Sequence, residues 1–185
     1  IDYVARNAVT HTPLNGYELH NIESNSGFSR YGFVFDYPKL MRLLRKIRPE
    51  VIYQRGLRSH LGISAYYSTS APAKQVFHIA HEYDVTPLRY QEIPLRAGSR
   101  WLAHLEKRVA EYGLLKADRI IAQTTKQDEL LKKYYGRSAD KIIGNFHPLP
   151  TEAIVKQKIP ITVVWVANFK PFKRPELFVK LAKDL

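Results

Sequence analysis

With 185 residues, of which 45% are hydrophobic, 12% aromatic and 25% charged, the chain has the composition of a folded globular protein with one core of ordinary size, which excludes disordered and collagen-like classes. The absence of cysteine excludes disulfides, thiolate metal sites and cysteine nucleophiles, and it suits a reducing, cytoplasmic location. Lysine and arginine number 29 against 17 acidic residues, a formal charge of +12, so the field of the molecule draws polyanions: nucleic acid, an anionic membrane surface or phosphorylated small molecules.

In chain order, residues 16–22 read as a short strand entered through a glycine turn, followed by a polar loop with Asn25, Ser26 and Gly27. A helix is expected over 38–47, where Leu40, Leu43, Leu44 and Ile47 share one face and Lys39, Arg42, Arg45 and Lys46 the other. Arg48-Pro49 ends it, because the residue before proline is driven out of the helical region. Residues 51–53 form a short buried strand and 54–59 a loop; Ser59 is placed to cap a helix running through Tyr67. Residues 68–72 break that helix before a strand over 75–79, after which an irregular stretch to Gly98, with Pro87 and Pro94, is long enough to be a functional loop. A helix over 99–116 then carries Trp101, Leu105, Val109, Tyr112 and Leu115.

A strand over 119–122 leads to Thr124 and Thr125, which with Gln127 and Asp128 offer a capping-box start for a helix over 127–135 that Gly136 closes. Residues 141–143 are a last short strand, and 144–160, with three prolines, is a connector. Short apolar strands alternating with helices imply an α/β fold: a Rossmann-like parallel sheet with helices on both faces, over 1–150. A linker over 151–160 then leads to the first strand and helix of a second such domain, over 161–185.

That last stretch carries the sharpest local argument. Residues 161–167 are an apolar strand; 168–172 turn into Lys173-Arg174-Pro175-Glu176 and an amphipathic helix with Leu177, Phe178, Leu181, Ala182 and Leu185 on one face. Pro175 suits the first helical position. Lys173 and Arg174 therefore sit at the positive end of the helix dipole, where each cation costs about 0.3–1 kcal/mol. A bound phosphate would remove the conflict; screening by water and Glu176 is the alternative.

Ligands of open parallel sheets collect beyond the carboxyl ends of the strands. His81, Glu82 and Asp84 follow one strand end, and Gln54, Arg55 and Arg58 follow another, so they either line one crevice or are ordinary polar surface. His78 lies within its strand and reads as a buried histidine satisfied by hydrogen bonds; His147, in the connector, reads as structural. The chain has no glycine-rich dinucleotide fingerprint, phosphate loop, nucleophile elbow or histidine pair with metal spacing, so no metal and no cofactor is expected. The basic face of 38–47 is either solvated surface or a place for anionic headgroups. Nucleic acid is not expected, because the aromatic residues fall in apolar runs instead of interleaving with cations.

Four segments together resemble the retaining glycosyltransferases of family 4, which have the two-domain GT-B fold. Gly16-Tyr-Glu-Leu-His20 resembles the family's strand after its first helix, and His81-Glu-Tyr-Asp84 its histidine loop. Glu106 through Lys116-Ala-Asp118-Arg-Ile-Ile-Ala122-Gln-Thr124 resembles its helix, Ala-Asp, strand and cap, and Val163 through Lys173 the opening of its donor domain. The resemblance implies transfer of a sugar from a nucleotide-sugar donor to a hydroxyl of a glycan or lipid-linked acceptor, without metal. It assigns catalytic roles to His81, near the transferred sugar, and Lys173, which stabilises the departing diphosphate. It implies donor binding by Asn168, Lys173 and Arg174, and acceptor binding by Glu82, Asp84 and Arg55. It further implies a cytoplasmic enzyme of polysaccharide or glycoconjugate biosynthesis, peripheral to the inner face of an anionic membrane. Where the family commonly has Gly-Arg, this chain has Ala167-Asn168, leaving Lys170 or Arg174 to supply the missing cation. The alternative is a non-catalytic module of the same fold that binds an anionic glycan or lipid phosphate. Residues 1–185 alone hold only the start of the donor domain and are expected to have little activity.

Overall fold

In a computed structural model that describes residues 1–6, 16–22, 32–90, 100–145, 163–167 and 173–184, every paired strand runs parallel to its neighbour. The chain divides into two units, Ile1–Asn145 and Phe146–Leu185. In the first, β1 (Asp2–Arg6) and β2 (Glu18–Ile22) form a two-stranded sheet. A four-stranded sheet contains β3 (Val51–Arg55), β4 (Lys74–His78), β5 (Arg119–Ala122) and β6 (Lys141–Ile142) in that order. Helices α1 (Gly32–Ile47), α2 (Ser59–Ser68), α3 (Arg100–Lys116) and α4 (Thr125–Tyr135) fall between successive strands from β2 onward. This is the α/β, Rossmann-like architecture expected from the alternation of elements. The strand β1 has no apolar run to announce it and was not anticipated.

Because β3 to β6 lie side by side in sequence order, each crossover steps the same way. Right-handed crossovers that step the same way leave their helices on one face of the sheet. That face is the core: Leu61 of α2, Phe77 of β4, Leu114 of α3, Ile120 of β5 and Leu131 of α4 are fully buried together, with Ile79 and Val85. A second apolar cluster joins Leu40, Met41 and Leu44 of α1 to Ile63 and Tyr67 of α2 and Ile22 of β2, with Ile52 packed against it. The register sets Val51 and Tyr53 of β3 on the opposite face, where both are exposed. Among the described residues, α2, α3 and α4 thus share one core against the parallel sheet.

Helix α2 is buried on most sides, and two glycines allow it. A Cβ on Gly62 would lie 2.0 Å from the Val109 carbonyl oxygen, and one on Gly113 would lie 2.4 Å from the Leu61 carbonyl carbon. At each glycine the α2 and α3 backbones therefore come into direct contact.

Several local expectations are corrected. Helix α1 starts at Gly32 and runs through Pro38; the ring removes one helical N–H, but Asp36 is buried and its Oδ2 lies 3.1 Å from His60 Nε2 of α2, so a tertiary bond holds the early turns. Ser59 does not cap α2: Arg58 occupies the cap position without a side-chain bond, and buried Ser59 donates to Glu106 Oε1 instead, at 3.4 Å. On α3 the large apolar residues face outward, with Trp101 61% exposed and Leu105, Tyr112 and Leu115 also exposed; Leu102, Ala110, Gly113 and Leu114 face the core. Helix α4 begins as expected, with Thr124 Oγ1 accepting the Gln127 N–H at 3.2 Å, and ends at Gly136 with φ +64°.

In the second unit, α5 (Pro175–Asp184) starts at the expected proline and buries no residue. Trp165 stacks on Phe178 with ring centroids 6.0 Å apart. Residues 163–167 have no strand partner among the described residues, so the expected ladder is not formed there; a strand needs a neighbour to satisfy its backbone groups. The linker over 151–160 lies outside the described residues.

Candidate functional site

The carboxyl ends of β3, β4, β5 and β6 lie along one edge of the sheet, and their polar residues join across it. Arg55, the last residue of β3, donates from Nη2 to Asn145 Oδ1 at 2.9 Å, and Asn145 Nδ2 donates to Gln123 Oε1 at 3.0 Å. Gly56, with φ +80°, turns the chain back so that its N–H reaches the His78 carbonyl at 2.9 Å. Arg55 and Asn145 are 90 residues apart in sequence. The sequence points to Arg55 as a site residue but not to Gln123, which directly follows β5, or Asn145, three residues beyond β6.

Beyond β4 the chain makes a 3-10 turn, Glu82–Val85, with His81 at its N-cap, and a second over Leu88–Tyr90. The Asp84 carboxylate folds back so that Oδ2 accepts the N–H groups of Ala80 at 2.8 Å and His81 at 3.0 Å. This is a capping box with a histidine in the cap position: His81 Nδ1 accepts the Tyr83 N–H at 3.3 Å, and the His81 and Tyr83 rings stack with centroids 4.6 Å apart. With Nδ1 accepting, Nε2 is the ring nitrogen that carries a proton. Glu82 is paired with Lys126 of α4, at 2.9 Å between Oε2 and Nζ.

The turn is held from below as well. Val85 is fully buried, and Lys107 of α3 donates from Nζ to the carbonyls of Tyr83 at 3.1 Å and Asp84 at 3.3 Å. Burial lowers the Lys107 pKa, against the raising influence of Glu111 and Asp84. Tyr135 of α4 donates to Glu111 Oε1 at 2.9 Å, and burial foremost raises its pKa. Nothing in the sequence distinguishes Lys107 from the other lysines of a basic chain; its partners are carbonyls from another element.

His78 accounts for only part of its expected satisfaction. Its Nδ1 lies 2.6 Å from the Tyr53 hydroxyl, while Nε2 is buried with no hydrogen-bond partner among the described residues. Burial first, and then the Arg55 charge across the strand pair, lower its pKa. Both effects favour the neutral ring.

The structure thus brings Arg55, His81, Glu82 and Asp84 to one sheet edge in the first unit. Lys173 and Arg174 belong to the second unit, where both are exposed at the start of α5. Arg174 has φ +48°, a left-handed conformation that costs a non-glycine residue about 1–2 kcal/mol, and its carbonyl accepts the Leu177 N–H at 3.1 Å. Asn168 lies outside the described residues.

A possible ligand set of a different kind occurs on the first sheet. Asp2, Glu18 and His20 gather one ligand atom each within 4.8 Å, but His20 Nε2 is already engaged in a cross-strand hydrogen bond with Asp2 Oδ1 at 2.7 Å. No helix of the described residues is long and apolar enough to cross a membrane.

Comparison with known proteins bears on this edge. The model of the family described as Glycosyltransferase Family 4 matches residues 4–143, which include the sheet and the His81 turn. No curated protein matches the chain.

Proposed function

The chain belongs to glycosyltransferase family 4, and from that premise we propose that the protein moves a sugar from a nucleotide-sugar donor to an acceptor hydroxyl with retention at the anomeric carbon. Glycosyl transfer in general follows from the family; donor, stereochemistry and pathway are the proposal. The pathway is polysaccharide or glycoconjugate biosynthesis, with a glycan or lipid-linked acceptor. The observation that carries the reading is the family match across the parallel sheet, with the histidine turn at the sheet's carboxyl edge, where such folds bind ligands.

In this reading the first unit holds the acceptor. His81 offers its Nε2–H to a hydroxyl of the transferred sugar, while Arg55 and Glu82 line the acceptor side. Asp84 acts through the backbone of the turn, since its Oδ2 already accepts two N–H groups. Lys173 meets the diphosphate as it departs, with Asn168 and Arg174 beside it. Negative charge on the bridging oxygen grows toward the transition state, so a cation placed there lowers the barrier more than it tightens ground-state binding. No metal and no cofactor enters the proposal.

We extend the reading to peripheral contact with an anionic membrane from the cytoplasmic side. Its support is the outer face of α1, where Lys39, Arg42, Arg45 and Lys46 are exposed while Asp36, the one acidic residue of that helix, is buried.

The test is turnover by the full-length protein with a panel of nucleotide sugars. Nucleoside diphosphate should be released in an acceptor-dependent way, and the product should keep the donor's anomeric configuration. Lys173→Ala should lower kcat by about 10²-fold, as for loss of one oxyanion-stabilising donor. Donor or glycan binding without any turnover would instead support the non-catalytic module, and undiminished turnover in the lysine variant would remove the role given to Lys173.

A further inference from the structure

We propose that Lys107 is a positioning residue for the His81 turn, its ammonium clamping the carbonyl end of that turn so that the imidazole keeps one orientation toward the transferred sugar. The inference rests on the reading of His81 given above.

The turn has two ends with opposite needs. At its start the N–H groups of Ala80 and His81 point away from the sheet ladder, and the Asp84 carboxylate accepts both. At its finish the carbonyls of Tyr83 and Asp84 have no helix to continue into, and Lys107 Nζ, reaching from α3, donates to both. An anion on the donors and a cation on the acceptors complement the dipole of the turn at each end. His81 is fixed between them. Its ring is stacked on Tyr83 and its Nδ1 takes the Tyr83 N–H, so whatever fixes the Tyr83 backbone, including the adjoining Tyr83–Asp84 peptide, also bears on the imidazole.

The ammonium is an unusual choice for this task unless the clamp is needed. A partly buried cation is costly without partners, and a hydroxyl or amide at the same place would satisfy one carbonyl without the attendant desolvation. The charges that act on Lys107 are Glu111 on its own helix and Asp84 on the turn, and Glu111 also accepts the Tyr135 hydroxyl of α4. The two carbonyls it donates to fix where the ammonium points. A displacement of the imidazole by about 1 Å is enough to cost on the order of 10²-fold in rate.

A double-mutant cycle on the full-length enzyme, with kcat and donor KM measured for each variant, tests this. Lys107→Met, which keeps the length and removes the donors, should lower kcat by about 10- to 100-fold with donor KM changed by less than about twofold. In a His81→Ala background the same substitution should lower kcat no further, because its effect passes through the ring that is now absent. Additive losses, an unchanged kcat, or a loss confined to KM would each overturn the inference. If Lys107→Met does not give folded protein, Lys107→Gln carries the same cycle with a smaller first step. Undiminished turnover in His81→Ala would sink the parent reading, and this one with it. A large His81→Ala loss combined with an additive Lys107 effect would sink this one alone.

Discussion

Three aspartates tie the strand edges to the elements beside them by accepting backbone N–H groups. Asp118 Oδ2 accepts from Gln75 at 2.9 Å, Asp140 Oδ2 from Ile120 at 2.8 Å, and Asp128 Oδ1 from Ala139 at 2.7 Å. Each also has a cation: Lys74, Arg119 and Lys132 respectively. The backbone bond is the main cause of the lowered pKa of Asp118 and Asp140, and the Lys132 bond that of Asp128. Unfolded aspartate takes up its proton near 3.9, whereas these hold their charge to lower pH, so in that window the unfolded chain binds more protons. Their contribution is therefore complete above about pH 4 and is lost as the pH falls through the folded values. Urea unfolding followed from pH 6 to pH 2.5 should show stability dropping below about pH 4. Asp140→Asn should flatten that drop; an equal slope in the variant would show that its charge is not what the N–H bonds depend on. Nothing in the sequence distinguishes these residues from surface acids, because the donors they serve lie 11 to 43 positions away.

At the scale of elements, the α2–α3 crossing decides most of what the apolar pattern left open. Of the apolar residues that mark α3 in the sequence, Trp101, Leu105, Tyr112 and Leu115 are exposed and Val109 is partly buried. Burial went to the face with Ala110 and Gly113, because only there can two backbones come into contact. Closeness of approach, more than the size of the apolar side chains, selected the interface. Gly113→Ala gains about 1 kcal/mol of helix propensity, but its methyl would meet the Leu61 backbone at 2.4 Å, and backbone cannot swing aside as a side chain can. We expect a net loss of about 1–3 kcal/mol or more in unfolding free energy, and a similar or larger loss for Gly62→Ala, read from urea or thermal unfolding. A variant as stable as the parent would mean that the helices are not in contact at these positions.

For the whole molecule, the charge of +12 asks where the cations are aimed. The solvent side of α1 carries Lys39, Arg42, Arg45 and Lys46, and each basic residue near an anionic bilayer is worth about 1 kcal/mol. Reversing Arg42 and Arg45 to glutamate should weaken sedimentation with phosphatidylglycerol-containing phosphatidylcholine vesicles by at least about tenfold. Binding that ignores the anionic lipid, or that survives the reversal, would turn the membrane proposal aside. What the sequence by itself determined was the class of fold and most of its punctuation. Short apolar runs at crossover spacing admit little besides a parallel α/β sheet, and the stops at Arg48-Pro49 and Gly136, like the start at Pro175, are local backbone constraints that need no partner. The tertiary structure alone decided that α2, α3 and α4 share one face, that Arg55 meets Asn145, that Asp84 turns inward to its own backbone, and that Lys107 reaches the His81 turn. Those outcomes depend on how closely separate elements approach and on which polar groups their packing strips of water, and neither quantity is carried by neighbouring residues along the chain.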